Sequence, residues 1–438
     1  MDQQNIQRAP EGLMAREPVA TASEGERIVG KIAQRLIPLL VACFFVAYLD
    51  RVNIGFAALT MNKALGFTPE FFGWAAGVFF LTYCLLEAPS NYIMHRVGAR
   101  IWIARIMVTW GVVSALMAFV WNETSFVTLR LLLGAAEAGF APGVILYLTY
   151  WIPAAQRARV MSGFLFAVPL SSAIGAPISS LVLTTMNGVA DFDGWRWLFF
   201  IEAIPSILLG VACFFYLPGR PAESSWLSPR EKEWLQSELA QEAPHKEESL
   251  WRALLDFRVL ALGFAYFGIV LALYGLGFWL PQIIRADGFG VIAAGFLTAV
   301  PYIFGGFAMV SWSRRSDARK ERAGHAIVAA LIAGVGLVCA AYAPSPTLSM
   351  VAVAVAAMGT FAFMPVFWSF STEALGPNEA VIGVAVINSV GNVAGFAGPY
   401  LVGLIRGASG EFHHALLALA AGPLLAVLFV FLSLRLRR

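Results

Sequence analysis

Asp50 and Arg51 stand side by side in an apolar stretch near the start of the chain, and Arg130 and Glu137 stand seven residues apart in another. A charge at the centre of a bilayer costs about 2.5–3.5 kcal/mol even on the mildest scale. Two acids and two bases in such positions imply mutual pairing around a buried polar cavity. A guanidinium there can hold an anion, and a carboxylate can carry a proton. The set therefore points to movement of anions and protons across a membrane rather than to a purely structural role. At 3.6 residues per turn, Tyr48 and Arg51 share one stripe and Asp50 and Asn53 an adjacent one, so all four can face a bundle interior. Anchoring of the span at the membrane edge is the plainer alternative. Arg130 and Glu137 lie two turns apart on one face, about 10 Å along the axis. Arg130 is expected near the outer surface and Glu137 near mid-membrane, with a structural ion pair to the first span as the competing reading. If a substrate anion draws an arginine away from its carboxylate, that carboxylate takes up a proton, and the two fluxes are coupled in one step. Several interacting charges would titrate as a cluster.

Other polar residues are sparser. Glu87 and Glu202 are also within spans, and structural pairing or gating is expected of them. Tyr83 is a turn from Glu87 and can reach the cavity. The second half offers Tyr274, Trp368, Ser369, Asn388 and Asn392; the two asparagines are four apart and share a face. Helix–helix hydrogen bonding would explain them equally well. No HExxH, nucleotide-binding loop or Gly-x-Ser-x-Gly is present, so an enzyme is not expected, nor a metal or other cofactor.

The elements that must position these residues follow from composition. Of 438 residues, 59% are hydrophobic and 13% charged, about half the charge of a soluble domain. The net charge of +3, with the basic residues in loops, does not indicate nucleic acid. Twelve stretches reach the roughly 20 apolar residues that a spanning helix needs: 34–59, 71–94, 101–121, 126–151, 158–184, 195–217, 256–284, 290–312, 325–343, 347–372, 380–405 and 412–434. Continuous helices are expected, because lipid cannot satisfy a free backbone. The four cysteines fall in apolar stretches and read as buried free thiols. No cleaved signal is expected, the first apolar span serving as the insertion signal.

With the N-terminus inside, Arg96, Arg100, Arg157, Arg159, Arg314, Arg315, Arg319, Lys320, Arg322, Arg435, Arg437 and Arg438 fall on the cytoplasmic side, against Lys63, Arg285 and Arg406 opposite. That asymmetry places both termini in the cytoplasm and the protein in the inner (plasma) membrane. The expected organisation is an all-α membrane protein with a tail (1–33), a six-helix half (34–217), a central loop with a short amphipathic helix (218–255) and a second six-helix half (256–438). Weak internal similarity, Phe140-Ala-Pro142 against Phe363-Met-Pro365, favours two parallel halves.

Tyr48-Leu-Asp50-Arg51-Val-Asn53-Ile-Gly, Glu87-Ala-Pro-Ser-Asn91, Arg96-Val-Gly-Ala-Arg100, Arg130-x6-Glu137-Ala-Gly, Trp195-Arg-Trp-Leu-Phe-Phe-Ile-Glu202 and Asn388-Ser-x-Gly-Asn392 together resemble the anion:cation symporters of the major facilitator superfamily. The resemblance spans all twelve stretches and is nearest to tartrate, phthalate and 4-hydroxyphenylacetate permeases, the D-galactonate transporter being more distant. It implies proton-coupled import of small organic carboxylates, tartrate-like or aromatic, by a monomer working through alternating access. It assigns protonation to Asp50 and Glu137 and the substrate carboxylate to Arg51, with Arg130 assisting. Tyr48, Asn53, Tyr83, Tyr274, Trp368, Ser369, Asn388 and Asn392 would complete the site, with Glu87, Arg96 and Arg100 in gating. Two positions depart from the pattern. His95 stands where an acid is usual, and Val168 where a sugar-acid carrier has Gln, which favours a less hydroxylated, aromatic acid. An exchanger or exporter on the same scaffold, and less so a membrane sensor, are the alternative functions.

Overall fold

The computed structural model describes residues 22–241 and 255–436. The first 21 residues of the tail, 242–254 of the central loop, and Arg437 and Arg438 lie outside the described residues. Among the described residues, twelve helices are long and apolar enough to cross a membrane: Glu24–Leu65, Pro69–Val97, Ala99–Phe119, Glu123–Thr149, Phe164–Thr185, Gly194–Tyr216, Phe257–Ala286, Val291–Arg319, Ala323–Ala341, Pro346–Leu375, Ile382–Ser409 and His413–Arg435. These are spans one to twelve. The first helix begins at Ala22, well before the apolar stretch, because its opening turns are amphipathic and dock on protein. Spans ten and eleven belong to one helical segment, Pro346–Ser409.

Span four departs from the expected continuity. Its first part ends at Glu137, and a second begins at Phe140. Between them Gly139 takes φ 85°, a left-handed conformation open to glycine at little cost. A Cβ at Gly139 would sit 2.4 Å from the Ser90 hydroxyl, so both the angle and the space demand glycine. The break is tolerated at membrane depth because it is buried in protein, where lipid never meets the interrupted backbone. The cysteines are free, but only Cys43 and Cys213 are buried; Cys339 is exposed on the outer face, where a thiol is apolar enough to meet lipid.

Small residues bring the two halves together on one side of Arg51. A Cβ on Gly55 (span one) would lie 2.6 Å from the Phe278 carbonyl oxygen (span seven), and one on Gly73 (span two) 2.5 Å from that of Pro399 (span eleven). Gly77 meets Phe396, and Gly295 (span eight) meets Ser180 (span five), in the same way. All these positions lie toward the turns joining spans one to two, seven to eight and eleven to twelve. The molecule is thus closed at the end away from the central segment.

At the other end a helix, Pro229–Gln241, lies against the start of span one. Glu231 takes Lys31 at 2.9 Å and the Ser228 backbone N–H at 2.8 Å, and Trp234 covers Gly25. Trp226 stacks on Trp151 of the segment after span four, with the Arg35 guanidinium over its ring.

Candidate functional site

Span one carries the core of the site because consecutive residues on a helix diverge by about 100°. Arg51 therefore faces the space between the halves, while Asp50 points into the N-terminal half. Arg51 is 9% exposed. It pairs with Glu137 on span four and donates to the Tyr274 hydroxyl on span seven at 2.9 Å. The rings of Tyr48, Phe79, Phe80 and Tyr83 stand 5.1–5.9 Å from its guanidinium carbon, distances at which a ring face attracts a cation. Its Nε has no hydrogen-bond partner. One guanidinium thus joins the two halves and keeps a donor in reserve.

Around it is a small chamber of about 80 Å³, which a substrate must widen on entering. Its polar wall is Tyr48, Arg51, Tyr83, Glu137, Tyr266, Tyr274, Asn388 and Asn392. Phe44, Phe140, Val270 and Met364 supply apolar wall. Asn388 also donates to Glu87 of span two at 3.2 Å, a second hydrogen bond between the halves.

Behind the chamber, Asp50 accepts from Trp110 Nε1 at 2.6 Å, from the Ser114 hydroxyl, and from Asn53 Nδ2 at 3.2 Å. Arg130 is 1% exposed and donates to the Ala76 carbonyl at 2.6 Å, with its guanidinium carbon 5.0 Å from the Phe79 ring centroid. It faces the Asp50 and Glu137 carboxylates without touching either, so two acids and two bases share one low-dielectric region.

Of the residues singled out from sequence, Tyr48, Arg51, Tyr83, Glu137, Tyr274, Asn388 and Asn392 are brought to one chamber. Asp50, Asn53 and Arg130 are placed one layer behind it. Trp368 and Ser369 are not brought to the chamber: Trp368 packs edge-on against Tyr266, and Ser369 donates to the Pro365 carbonyl of its own helix. Arg96 reaches Tyr92, and Arg100 donates to the Phe214 carbonyl at 2.7 Å, both at the end that carries the central segment. Val168 is buried away from the chamber wall. Sequence reasoning missed Trp110 and Ser114, whose signal was two hydrogen-bond donors four apart on one face of an apolar span. It also missed Tyr266, two turns before Tyr274.

A polar chamber between two six-helix halves suits a carrier that exposes it to each side in turn. Residues 40–399 match the Major Facilitator Superfamily. The chain belongs to that superfamily. It is 45% identical to a "Putative tartrate transporter" of Agrobacterium vitis, over 97% of this chain and 95% of that protein. It is 40% identical to the "Putative metabolite transport protein NicT" of Pseudomonas putida, over 92% and 93%. A bacterial homologue of the human lysosomal transporter Spinster, solved inward-facing and occupied, shares the fold at TM-score 0.75 and 17% identity, covering 91% of this chain and 96% of that one. These relatives agree with the anion:cation symporter resemblance. The protein is a multi-pass membrane transporter of the major facilitator superfamily and not an enzyme.

Proposed function

We propose that this transporter is a proton-coupled symporter that imports small, hydroxylated organic carboxylates of the tartrate type. The observation that carries the reading is the Arg51 guanidinium, buried between the halves and held by Glu137 of one and Tyr274 of the other. A substrate carboxylate competes with Glu137 for Arg51. When the substrate wins, Glu137 leaves the pair as the neutral acid, and the charge of the chamber is conserved. With Asp50 and Glu137 both protonated, Arg51 and Arg130 present two positive charges, a balance that suits a dicarboxylate. The four phenols and two carboxamides on the wall exceed what one carboxylate needs, and a buried polar group left unpaired is costly. A hydroxy acid uses them; an aromatic acid leaves them idle. The chamber therefore favours the hydroxylated class over the aromatic one suggested by Val168.

The basic turns and both termini lie on the cytoplasmic side of the inner membrane in this reading, so the closed end faces outward and the monomer is poised to release inward. Two protons entering with a dicarboxylate move no net charge, so the pH difference drives accumulation: one pH unit is worth about 1.4 kcal/mol per proton, or about a hundredfold for two. The test is uptake of labelled tartrate into proteoliposomes under an inside-alkaline gradient. Accumulation above the external concentration, abolished in Glu137→Gln and Asp50→Asn while tartrate still binds, is expected. Uptake that needs internal counter-anion and ignores the proton gradient would establish the exchanger instead.

A further inference from the structure

Two adjoining cavities lie away from the substrate chamber, between spans three and six at the end that carries the central segment. The two spans pack closely at small residues: a Cβ on Gly111 would lie 2.7 Å from the Ile207 side chain, and one on Gly210 2.8 Å from that of Val108. With no side chain on Gly210, an apolar cleft of about 320 Å³ remains between them, walled by Ile101, Val108, Val211 and Phe214, with Arg105 at its side. A second cavity of about 310 Å³ shares Ile101 and Phe214 with the cleft. Its polar wall is His95, Arg100, Arg220 and Glu223.

The charges of these walls do not balance. Arg100 gives its Nε to the Phe214 carbonyl at 2.7 Å, and the Arg105 guanidinium stands 3.8 Å from the Trp102 ring centroid, its buried Nε without a partner. Among the described residues, Arg100, Arg105 and Arg220 enter no ion pair. The carboxylate of that wall, Glu223, takes the Gly219 backbone N–H at 3.0 Å. Arg105 is six residues into span three, about 9 Å from its start. A cation at that depth without an acid draws its counter-charge from the membrane itself. His95, hydrogen-bonded to the Tyr150 hydroxyl at 3.4 Å, stands where a carboxylate would repel a phosphate. A basic cavity at headgroup depth that opens into an apolar cleft has the two-part form of a phospholipid. A zwitterionic headgroup brings its own cation, so three arginines against one acid favour the anionic class.

We propose that the two cavities are one binding site for an anionic phospholipid of the leaflet on the central-segment side. Its phosphate lies between Arg100 and Arg220. One acyl chain fills the cleft along Val108, Val211 and Phe214, and Arg105 meets the ester oxygens between the two. Span six runs directly into the central segment, so the lipid ties that junction to span three. The site is independent of the substrate chamber.

The test is native mass spectrometry of the full-length, detergent-purified protein, titrated with phosphatidylglycerol or with phosphatidylcholine of the same chains. One phosphatidylglycerol should bind at least about tenfold more tightly than phosphatidylcholine. Arg100→Gln combined with Arg105→Gln should abolish that preference. Val211→Trp, which fills the cleft and leaves every charge in place, should weaken phosphatidylglycerol by about tenfold. Arg314→Gln combined with Arg435→Gln removes two cations from the same end of the molecule, on spans eight and twelve, and should change nothing. Should the Arg100 and Arg105 variant fail to purify, His95→Asp, on the exposed rim, should reduce the same preference. Equal binding of the two lipids, or an equal loss in the Arg314 and Arg435 variant, would leave only general attraction to a charged surface and overturn the proposal. Competition by glycerol 3-phosphate as strong as that by the lipid would make the cavity a site for a soluble phosphate and overturn it too.

Discussion

Arg51→Ala is the substitution that bears most directly on the chamber. A guanidinium offers a carboxylate two parallel charge-assisted hydrogen bonds, each worth about 1.5–3 kcal/mol in a site shielded from water. Losing both costs about 3–6 kcal/mol, or roughly 10² to 10⁴ in Kd. The lower figure applies here, because the parent must first break the Arg51–Glu137 pair and the variant has none to break. Arg51→Lys keeps the charge but not the fork and should cost about tenfold. Glu137→Gln frees the guanidinium, so its Kd should equal the parent's or fall. Isothermal titration of tartrate into detergent-purified protein at one pH measures all three. Expected are a loss of at least about a hundredfold for Ala, an intermediate loss for Lys and none for Gln. Binding by Arg51→Ala within threefold of the parent would refute Arg51 as the anion ligand. Equal loss in Arg51→Ala and Glu137→Gln would show that the ion pair holds the site's shape rather than competing with substrate.

Gly73→Leu places a side chain where a bare Cβ is already 2.5 Å from the Pro399 carbonyl. It should hold the outer end open, abolishing transport while tartrate still binds; a cysteine-accessibility label placed on the outer chamber wall would report the change, and normal transport would count against this end as the closed gate. Gly139→Ala should lose about 1–2 kcal/mol for the left-handed angle alone, plus the clash with Ser90, lowering the thermal midpoint by a few degrees. Adding Ser90→Gly should return the steric part, and an unchanged midpoint in the single variant would contradict the break. Glu231 provides a pH test outside the membrane. Burial opposes its charge, but Lys31 and the Ser228 backbone N–H outweigh it and hold its carboxyl below the ordinary range. A depressed value contributes stability that is present above the ordinary carboxylate value near 4.3 and is lost as pH falls through the lower, folded one. Docking of the central helix, followed by Trp234 fluorescence, should therefore be flat from pH 7 to 5 and weaken below about pH 4. The same step in Glu231→Gln would assign it to another group.

How much of this was legible in the sequence varies from residue to residue for physical reasons. The spans were legible because lipid demands about 20 apolar residues for each crossing, and nothing else in the fold overrides that demand. The charged cluster was legible because a buried charge is expensive enough to be there for a purpose. Which charge meets which was not, since that depends on the rotation of span one: Asp50 and Arg51 are neighbours in sequence yet serve different compartments. Trp110 and Ser114 escaped notice because a neutral donor in an apolar span has many bland uses, and only its distance to Asp50 gives it one.

The break in span four also escaped, although Gly139 and Pro142 stood in view, and its consequence reaches the substrate. Glu137 is the last residue of the first half-helix, where the backbone dipole ends negative. A carboxylate there is disfavoured by its own helix and leans on Arg51 more heavily than it would in mid-helix. Phe140 and Ala141, in the first turn of the second half-helix, line the same chamber, and that turn carries the positive end of its dipole. One interruption therefore weakens the hold of Glu137 on its charge and offers partial positive charge to an arriving anion. Both effects favour the proposed exchange, in which substrate would take Arg51 and the proton Glu137. A continuous helix at this position would remove both effects, so the proposed coupling would depend on Gly139 as well as on the charged residues.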